Sequence, residues 1–158
     1  MNTPAETQVR RASPADVSAL AAMRYEFRAQ RKPPVESAAE FVPRCIEWMR
    51  PRVADESRWC VWILESGDAV VGNIWLEIIE KLPNPNLERE LHGYITNFFV
   101  RPEFRNSGAG SRLLDAALEE CKRLDVDAVF LWPSDRSRPL YDRHGFVTPS
   151  TMLVLEDR

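Results

Sequence analysis

The sequence is poor in the residues that build disulfide frameworks and metal sites. Its 158 residues include three cysteines and two histidines. Cys45, Cys60 and Cys121 are odd in number and widely spaced, so neither a disulfide scaffold nor a zinc knuckle is expected. We predict reduced, mostly buried thiols. His92 and His144 lack any ligand spacing, and no metal site is predicted.

Long apolar runs are also missing. No stretch approaches the roughly 18 apolar residues of a membrane span, and the polar start MNTPAETQVRR lacks the apolar core of a signal peptide. We therefore expect no membrane association and a cytoplasmic location. The net charge of -3, with both signs interspersed, does not indicate nucleic-acid binding and mildly favours a cationic acceptor. The composition, 44% hydrophobic and 28% charged, and the length suit a single globular domain over residues 1–158.

The first part of the chain predicts a short strand and two helices. Residues 7–11 alternate weakly, as in a strand, and residues 13–16 form a helix-start signal ahead of an apolar face. A capping box at residues 37–40 predicts a second helix. Pro43 conflicts with that start, so the second helix either begins near Val42 or kinks there.

A hairpin and a loop follow. Residues 58–64 and 69–80 are rich in Val, Ile and Trp and flank a short turn, which predicts two paired strands. Gly72 lies inside the second of them and marks a bend or bulge. Residues 81–90 carry prolines, asparagines and charges, and loops of this length often shape a site.

The stretch YITNFFVRPEFRNSGAGSRLLDAALEECKRL, residues 94–124, organises the rest of the chain. It predicts a strand over residues 94–100, and a helix whose apolar residues recur three or four apart from Leu113 onward. Between them, RNSGAG at residues 105–110 has two glycines at a helix start, which is an anion site. Residues 128–132 and 152–155 predict two further strands.

The nature of the anion follows partly by elimination. A Walker loop needs a Lys after its last Gly, whereas Gly110 is followed by Ser111. A dinucleotide fingerprint would place its third Gly on Leu113. Nucleoside triphosphate and dinucleotide binding are therefore not indicated.

The stretch resembles motif A of the GNAT superfamily of acyl-CoA N-acyltransferases. Phe98, Val100 and Pro102 match the end of its strand, and Arg105, Gly108 and Gly110 match its loop. The resemblance implies a mixed α/β fold with a mostly antiparallel central sheet flanked by helices on both faces. It also implies that acetyl-CoA is the co-substrate and that the loop and helix start hold its pyrophosphate.

A second stretch, PLYDRHGF at residues 139–146, is similar to the family's motif B. Gly145 is expected to end its short helix at positive φ. The resemblance implies that Tyr141 is the general acid for the leaving thiolate, and that the backbone amide of Phe98 is freed by a bulge to bind the oxyanion. Ser134 stands where many relatives have an Asn that contacts pantetheine, and Ser137 is a nearby substitute.

The resemblance and the residue pattern together define a candidate site. The predicted catalytic residues are Tyr141, Phe98 and Glu77. The predicted cofactor-binding residues are Phe98, Phe99, Val100, Arg105, Asn106, Ser107, Gly108, Ala109, Gly110, Ser111, Ser134, Ser137 and Tyr141.

The general base is the least defined part of the prediction. Relatives often carry a Glu at the position of Tyr94, and that carboxylate is missing here. Glu77 on the preceding strand is our first candidate, with His92 and Glu26 as alternatives.

Several functions remain open at the level of sequence. We expect N-acetylation of a primary amine, first of a small molecule, by direct attack in a ternary complex. A protein Lys or N-terminal amine is the alternative acceptor, and a non-catalytic CoA-binding regulatory module is a rival class. Exposed tryptophans among Trp48, Trp59, Trp62, Trp75 and Trp132 would suit a homodimer contact.

Overall fold

Apolar alternation in the first two thirds of the chain builds an antiparallel meander, to which one parallel strand is added. The computed structural model describes residues 6–156. Its strands are β1 (Thr7–Arg11), β2 (Trp59–Ser66), β3 (Ala69–Glu80), β4 (Leu91–Val100) and β5 (Ala128–Phe130). They form one sheet in the order β1-β2-β3-β4-β5, in which only the β4–β5 pair is parallel. The predicted mostly antiparallel sheet is confirmed.

Helices cover both faces of this sheet, as predicted. They are α1 (Val17–Ala29), α2 (Ala38–Ala54), α3 (Ala109–Arg123) and α4 (Arg138–Arg143), with 3-10 turns at Pro14–Asp16 and Pro102–Phe104. Helices α1 and α2 pack on the face that carries Val61, Ile63 and Trp75. Helix α3 packs on the other face, against Leu76 and Ile95. None of the helices within residues 6–156 combines the length and apolar character needed to span a bilayer.

The start of α2 decides between the two alternatives left by Pro43. Ser37 caps the helix, because its Oγ accepts from the Glu40 amide at 3.3 Å while Glu40 Oε2 accepts from the Ser37 amide at 2.9 Å. The helix begins at Ala38 and continues through Pro43. Burial of Cys45 and other apolar residues of α2 against the sheet outweighs the hydrogen bond that Pro43 cannot donate.

Gly72 marks a bulge, as predicted. Leu64 pairs with Gly72 and Glu65 pairs with Val70, so Val71 is an extra residue in β3. A Cβ at Gly72 would lie 3.1 Å from the Phe99 carbonyl oxygen, which explains the small residue at this position.

One prediction about the apolar surface is wrong. Residues 152–155 form no strand, and Leu153 is 97% exposed. The segment therefore adds no partner to the short β5. Of the tryptophans, Trp62 and Trp75 are buried in the core whereas Trp48 and Trp132 are exposed, and the homodimer contact stays a prediction.

The predicted thiols are buried. Cys45, Cys60 and Cys121 are all free cysteines in the interior. Burial raises the pKa of the Cys121 thiol to about 11. Such a thiol stays protonated near neutral pH and serves as a small apolar group.

Candidate functional site

A bulge opens β4 near its end. Asn73 pairs with Phe99 and Trp75 pairs with Thr96, so Asn97 and Phe98 together lie opposite Ile74. Asn97 has a φ of +48°, in the left-handed region that non-glycine residues seldom adopt. The bulge that was predicted to free the backbone of Phe98 from the ladder is therefore present in the fold.

The bulge also separates the two neighbouring phenylalanines. The Phe98 ring lies toward α4, with its centroid 6.3 Å from that of Tyr141. The Phe99 ring is buried and stacks on Phe27 of α1 at 5.0 Å. Only Phe98 therefore presents its side chain to the second motif, while Phe99 anchors β4 to α1.

The glycine-rich loop leads into the exposed start of α3. Gly108 has a φ of +80° and stands at the N-cap, and a Cβ there would meet no atom within 4 Å among the described residues. No side chain of residues 6–156 caps this helix start. The first amides of α3 consequently have no intrahelical partner and face outward with the positive end of the helix dipole. Ala109 is buried and Ser111 is half-buried.

Arg105 begins this loop, and its guanidinium has one unused donor. Its Nε donates to the Val100 carbonyl oxygen at 2.7 Å, and its guanidinium lies 5.4 Å from the Phe99 ring centroid. Its Nη2 is buried and has no hydrogen-bond partner among residues 6–156. Burial, followed by the charge of Arg136, lowers the pKa of Arg105. A buried, unpaired N–H of a cation is a donor suited to an anion.

The remaining residues of the loop have local roles. Asn106 has a φ of +60° and is exposed, which lets the chain turn ahead of Gly108. The Ser107 hydroxyl donates to the Phe104 carbonyl oxygen at 2.8 Å. Gly110 approaches α4, since a Cβ there would lie 3.6 Å from Leu140 Cδ2. The loop thus joins the α3 start to the second motif.

Tyr141 lies where β4 and α4 meet. Its side chain is 6% exposed, and its ring also contacts Phe146 at a centroid distance of 5.6 Å. Burial raises the pKa of Tyr141 to about 12, so the phenol stays protonated at ordinary pH. Gly145 has a φ of +84° and ends the helix as predicted.

Each candidate base is held by a charged partner. Glu77 Oε1 accepts from Arg58 Nε at 2.9 Å and from Arg58 Nη2 at 2.6 Å. Glu77 pairs in register with Tyr94 and therefore shares its face of the sheet. Of the alternatives, His92 Nε2 lies 3.6 Å from Asp127, and Glu26 Oε2 accepts from Arg101 Nε at 3.2 Å.

The match to a known family now completes this picture. Residues 20–146 match the model of the acetyltransferase (GNAT) family. The chain belongs to the GNAT family. This span contains both predicted motifs and strands β2 to β5 of the sheet.

Relatives and solved structures agree with the GNAT assignment. The chain is 34% identical over 94 residues to the uncharacterized N-acetyltransferase YafP of Escherichia coli K12, a match covering 60% of this chain and 55% of that protein. It therefore spans only about half the length of this curated relative. A GCN5-related N-acetyltransferase from Ralstonia eutropha JMP134 superposes with a TM-score of 0.78 at 27% identity, covering 96% of this chain and 99% of that one.

A second solved structure supports the fold alone. It is described as a predicted acetyltransferase with acetyl-CoA from Clostridium acetobutylicum. It superposes with a TM-score of 0.79 at 22% identity and covers 96% of each chain.

Two serines predicted to contact the cofactor bond each other in this GNAT chain. Ser134 Oγ and Ser137 Oγ lie 2.9 Å apart, and Ser137 Oγ also accepts from the Ser134 amide at 2.9 Å. The pair closes the turn that precedes α4. Their predicted cofactor contacts stay predictions, and the pair already has an evident structural role.

A polar chain behind the bulge was missed by the sequence interpretation. Arg24 Nη1 of α1 donates to Asn97 Oδ1 at 3.3 Å, and Asn97 Nδ2 donates to Asn73 Oδ1 at 3.3 Å. Asn73 is fully buried. An Asn within the apolar run VVGNIWLEII was the available signal, because a buried amide needs hydrogen-bond partners from elsewhere in the fold.

Proposed function

We propose that this chain is an N-acetyltransferase that moves an acetyl group from acetyl-CoA to the primary amine of a small molecule. The observation that carries the proposal is the contact between the β4 bulge and Tyr141, 6.3 Å apart as ring centroids. It joins a freed backbone segment to a protonated phenol, with the anion-binding loop adjacent. These are the three elements that acyl transfer from a phosphorylated thioester requires.

Backbone and cationic donors would hold the co-substrate. The amides of Gly108, Ala109, Gly110 and Ser111 and the free Nη2 of Arg105 suit a pyrophosphate. The exposed Asn106 and Ser107 border this loop, and the Val100 backbone would pair with the pantetheine arm as an added strand. Acetyl-CoA supplies the activated acetyl thioester when it is bound.

Two groups of the protein would stabilise the charges that develop. The Phe98 amide, outside the regular ladder, would donate to the oxygen that becomes negative. The Tyr141 phenol would donate a hydrogen bond to the leaving sulfur. Because its pKa of about 12 lies above the roughly 8.5 of an ordinary thiol, hydrogen bonding describes this role better than complete proton transfer.

The acceptor amine must also lose a proton. For a Lys-like amine with a pKa of about 10.4, deprotonation at pH 7 costs about 4–5 kcal/mol. We propose that Glu77, on the same face as Tyr94, receives this proton through water. Its partner Arg58 is 70% exposed while the Glu77 side chain is 13% exposed, so the ion pair would have to open on the Arg58 side before the carboxylate receives the proton.

Calorimetric titration of the purified protein with acetyl-CoA tests the first requirement. We expect saturable binding of acetyl-CoA, and none of ATP or NAD at the same concentrations. Amine-dependent release of free thiol then tests turnover. Binding without any amine-dependent thiol release would instead favour a non-catalytic CoA-binding module, and tighter binding of ATP or NAD would overturn the assignment of the loop.

A further inference from the structure

Arg24 brings a positive charge to the bulge from the helix that covers it. Arg24 lies in the third turn of α1, and its Nη1 donates to Asn97 Oδ1 at the bulge. Asn97 is in turn held by the fully buried Asn73, whose Nδ2 lies 2.9 Å from Met23 Sδ. The guanidinium is therefore fixed by a chain of amides, next to the segment of β4 where transfer is proposed to occur.

This guanidinium has no acidic partner. Among residues 6–156 no carboxylate forms an ion pair with Arg24, Arg28 or Arg31, all on or just after α1. Burial, followed by the charge of Arg28, lowers the pKa of Arg24. A partly desolvated cation among other cations is unfavourable by itself, and an anion placed against it relieves that cost.

An aromatic wall lies on the same face of the sheet. Tyr94 stacks on Phe130 at a centroid distance of 5.3 Å, and Trp132 contacts both rings edge-on. Trp132 is 60% exposed, and Tyr94 and Phe130 are half-buried. The partly open surface near Arg24 thus combines one fixed cation with flat apolar rings.

We propose that the acceptor amine carries an anionic group, a carboxylate or a phosphate, close to its nitrogen, and that Arg24 binds this group. The inference rests on the proposed acetyl transfer. A planar guanidinium can bind either anion through two parallel hydrogen bonds and so orient the amine toward the bulge. The aromatic wall would contact an apolar body of the same acceptor.

The positive charge of Arg24 favours an anionic acceptor, whereas the net charge of the whole chain favours a cationic one. A net charge of -3 mildly favours a cationic acceptor, yet the acidic residues around the bulge are already paired. Glu77 is bonded by Arg58 and Glu26 by Arg101, whereas Arg24 has only an amide partner. Arg24 is accordingly the group that selects the acceptor.

Matched acceptors test the proposal by activity. Phenylalanine carries a carboxylate, which phenylalaninamide and phenethylamine lack. O-phosphoethanolamine and ethanolamine make the same comparison for a phosphate. We expect kcat/KM to be about 10- to 100-fold higher for one of the two acids than for its counterparts without the anionic group, which is the range of a charge-assisted hydrogen bond. The responding arm identifies the anion. The proposal is overturned if, in both comparisons, the amines without an anionic group are acetylated as efficiently as the acid or more so. It is also overturned if none of the five compounds is acetylated.

Variants distinguish a direct contact of Arg24 with the acceptor from a general effect of the protein's charge. Arg24→Gln should abolish the preference for the acid by raising its KM, with the affinity for acetyl-CoA unchanged. Arg24→Lys should restore part of it, since the charge remains but the fork is lost. Arg50→Gln, the same charge change at an exposed position of α2, is the control and should keep the preference. A preference that survives Arg24→Gln, or an equal loss of acetyl-CoA affinity, overturns the role of Arg24.

Direct binding separates this inference from the proposed function. N-acetylphenylalanine carries the anion without a reactive amine, and its amide is the neutral control. If the carboxylate arm prevails in turnover, calorimetry should detect the acid alone, and Arg24→Gln should remove that binding. If acetyl-CoA does not bind in a parallel titration, the proposed acetyltransferase activity is refuted, and the titration with N-acetylphenylalanine still decides the role of Arg24. Binding of the acid alone supports that role. Equal binding of the acid and its amide, or no binding of either, overturns it.

Discussion

The proposed cofactor half and the proposed acceptor half of the candidate site differ in what forms them. The cofactor half uses backbone: a bulge in β4, a left-handed Gly108 and the uncapped start of α3. The acceptor half uses side chains from separate elements, with Arg24 on α1, Glu77 on β3 and Trp132 after β5. Backbone donors serve any chain that keeps the turn, whereas a side-chain cleft changes with each substitution. The comparison predicts that the two halves respond differently to mutation.

Gly108→Val should give the largest effect, confined to the cofactor half. The φ of +80° strains a β-branched residue and misdirects the first amides of α3. Loss of two charge-assisted contacts of about 1.5–3 kcal/mol each predicts at least an approximately 100-fold weaker acetyl-CoA affinity. Arg105→Ala removes a single donor of this kind, Nη2, and should cost less, about tenfold. Calorimetry with acetyl-CoA compares the two variants.

Gly67→Val is the matched control for backbone strain. Gly67 also has a positive φ, +58°, with open space around it, but lies in the β2–β3 turn. It should lower the free energy of unfolding by an amount similar to Gly108→Val and leave acetyl-CoA affinity intact. Equal losses of affinity in Gly108→Val and Arg105→Ala would contradict the dominance of backbone donors.

Tyr141→Phe should separate chemistry from binding within the cofactor half. The ring contacts with Phe98 and Phe146 remain, and only the hydroxyl is removed. We expect kcat to fall about 100-fold, the lower end for acid catalysis, because a thiolate is already a fair leaving group. Acetyl-CoA affinity should stay unchanged, as measured by the same calorimetry.

The pH dependence gives a second measure of Tyr141. With a pKa of about 12, the phenol is protonated over the whole working range and ionises only above it. Wild-type kcat should therefore show no alkaline fall due to Tyr141 below about pH 11. A fall near pH 10 that disappears in Tyr141→Phe would contradict the effect of burial on this phenol.

The same contrast explains how much of the molecule could be predicted from sequence. Features of the cofactor half are local: Gly108 and Gly145 stand where the chain needs a positive φ, so a short pattern identifies them. The order of strands and helices is also local, since it follows from periodicity. These predictions were confirmed for the fold.

The remaining features depend on contacts between distant elements. Arg24 and Asn97 are 73 positions apart and meet because α1 packs over the bulge. The continuation of α2 through Pro43 depends on burial against the sheet, which local propensity does not report. Residues 152–155 have the apolar composition of a strand, yet they pair with no other strand of the described chain. Strand formation likewise depends on that pairing, which composition does not report.

Glu77→Gln should give the smallest effect and tests whether the acceptor half contains a base. Proton transfer relayed by water predicts a loss of about tenfold in kcat/KM, below the usual contribution of a direct base. Glu65→Gln is the control, because Glu65 of β2 is likewise bonded by an arginine, Arg10, at 2.6 Å. Both variants lose one ion pair, so both should lose a similar free energy of unfolding. If kcat/KM of both variants equals that of the wild type, Glu77 only pairs with Arg58, and the acceptor half then relies on orientation by side chains such as Arg24 to select amines that are already deprotonated.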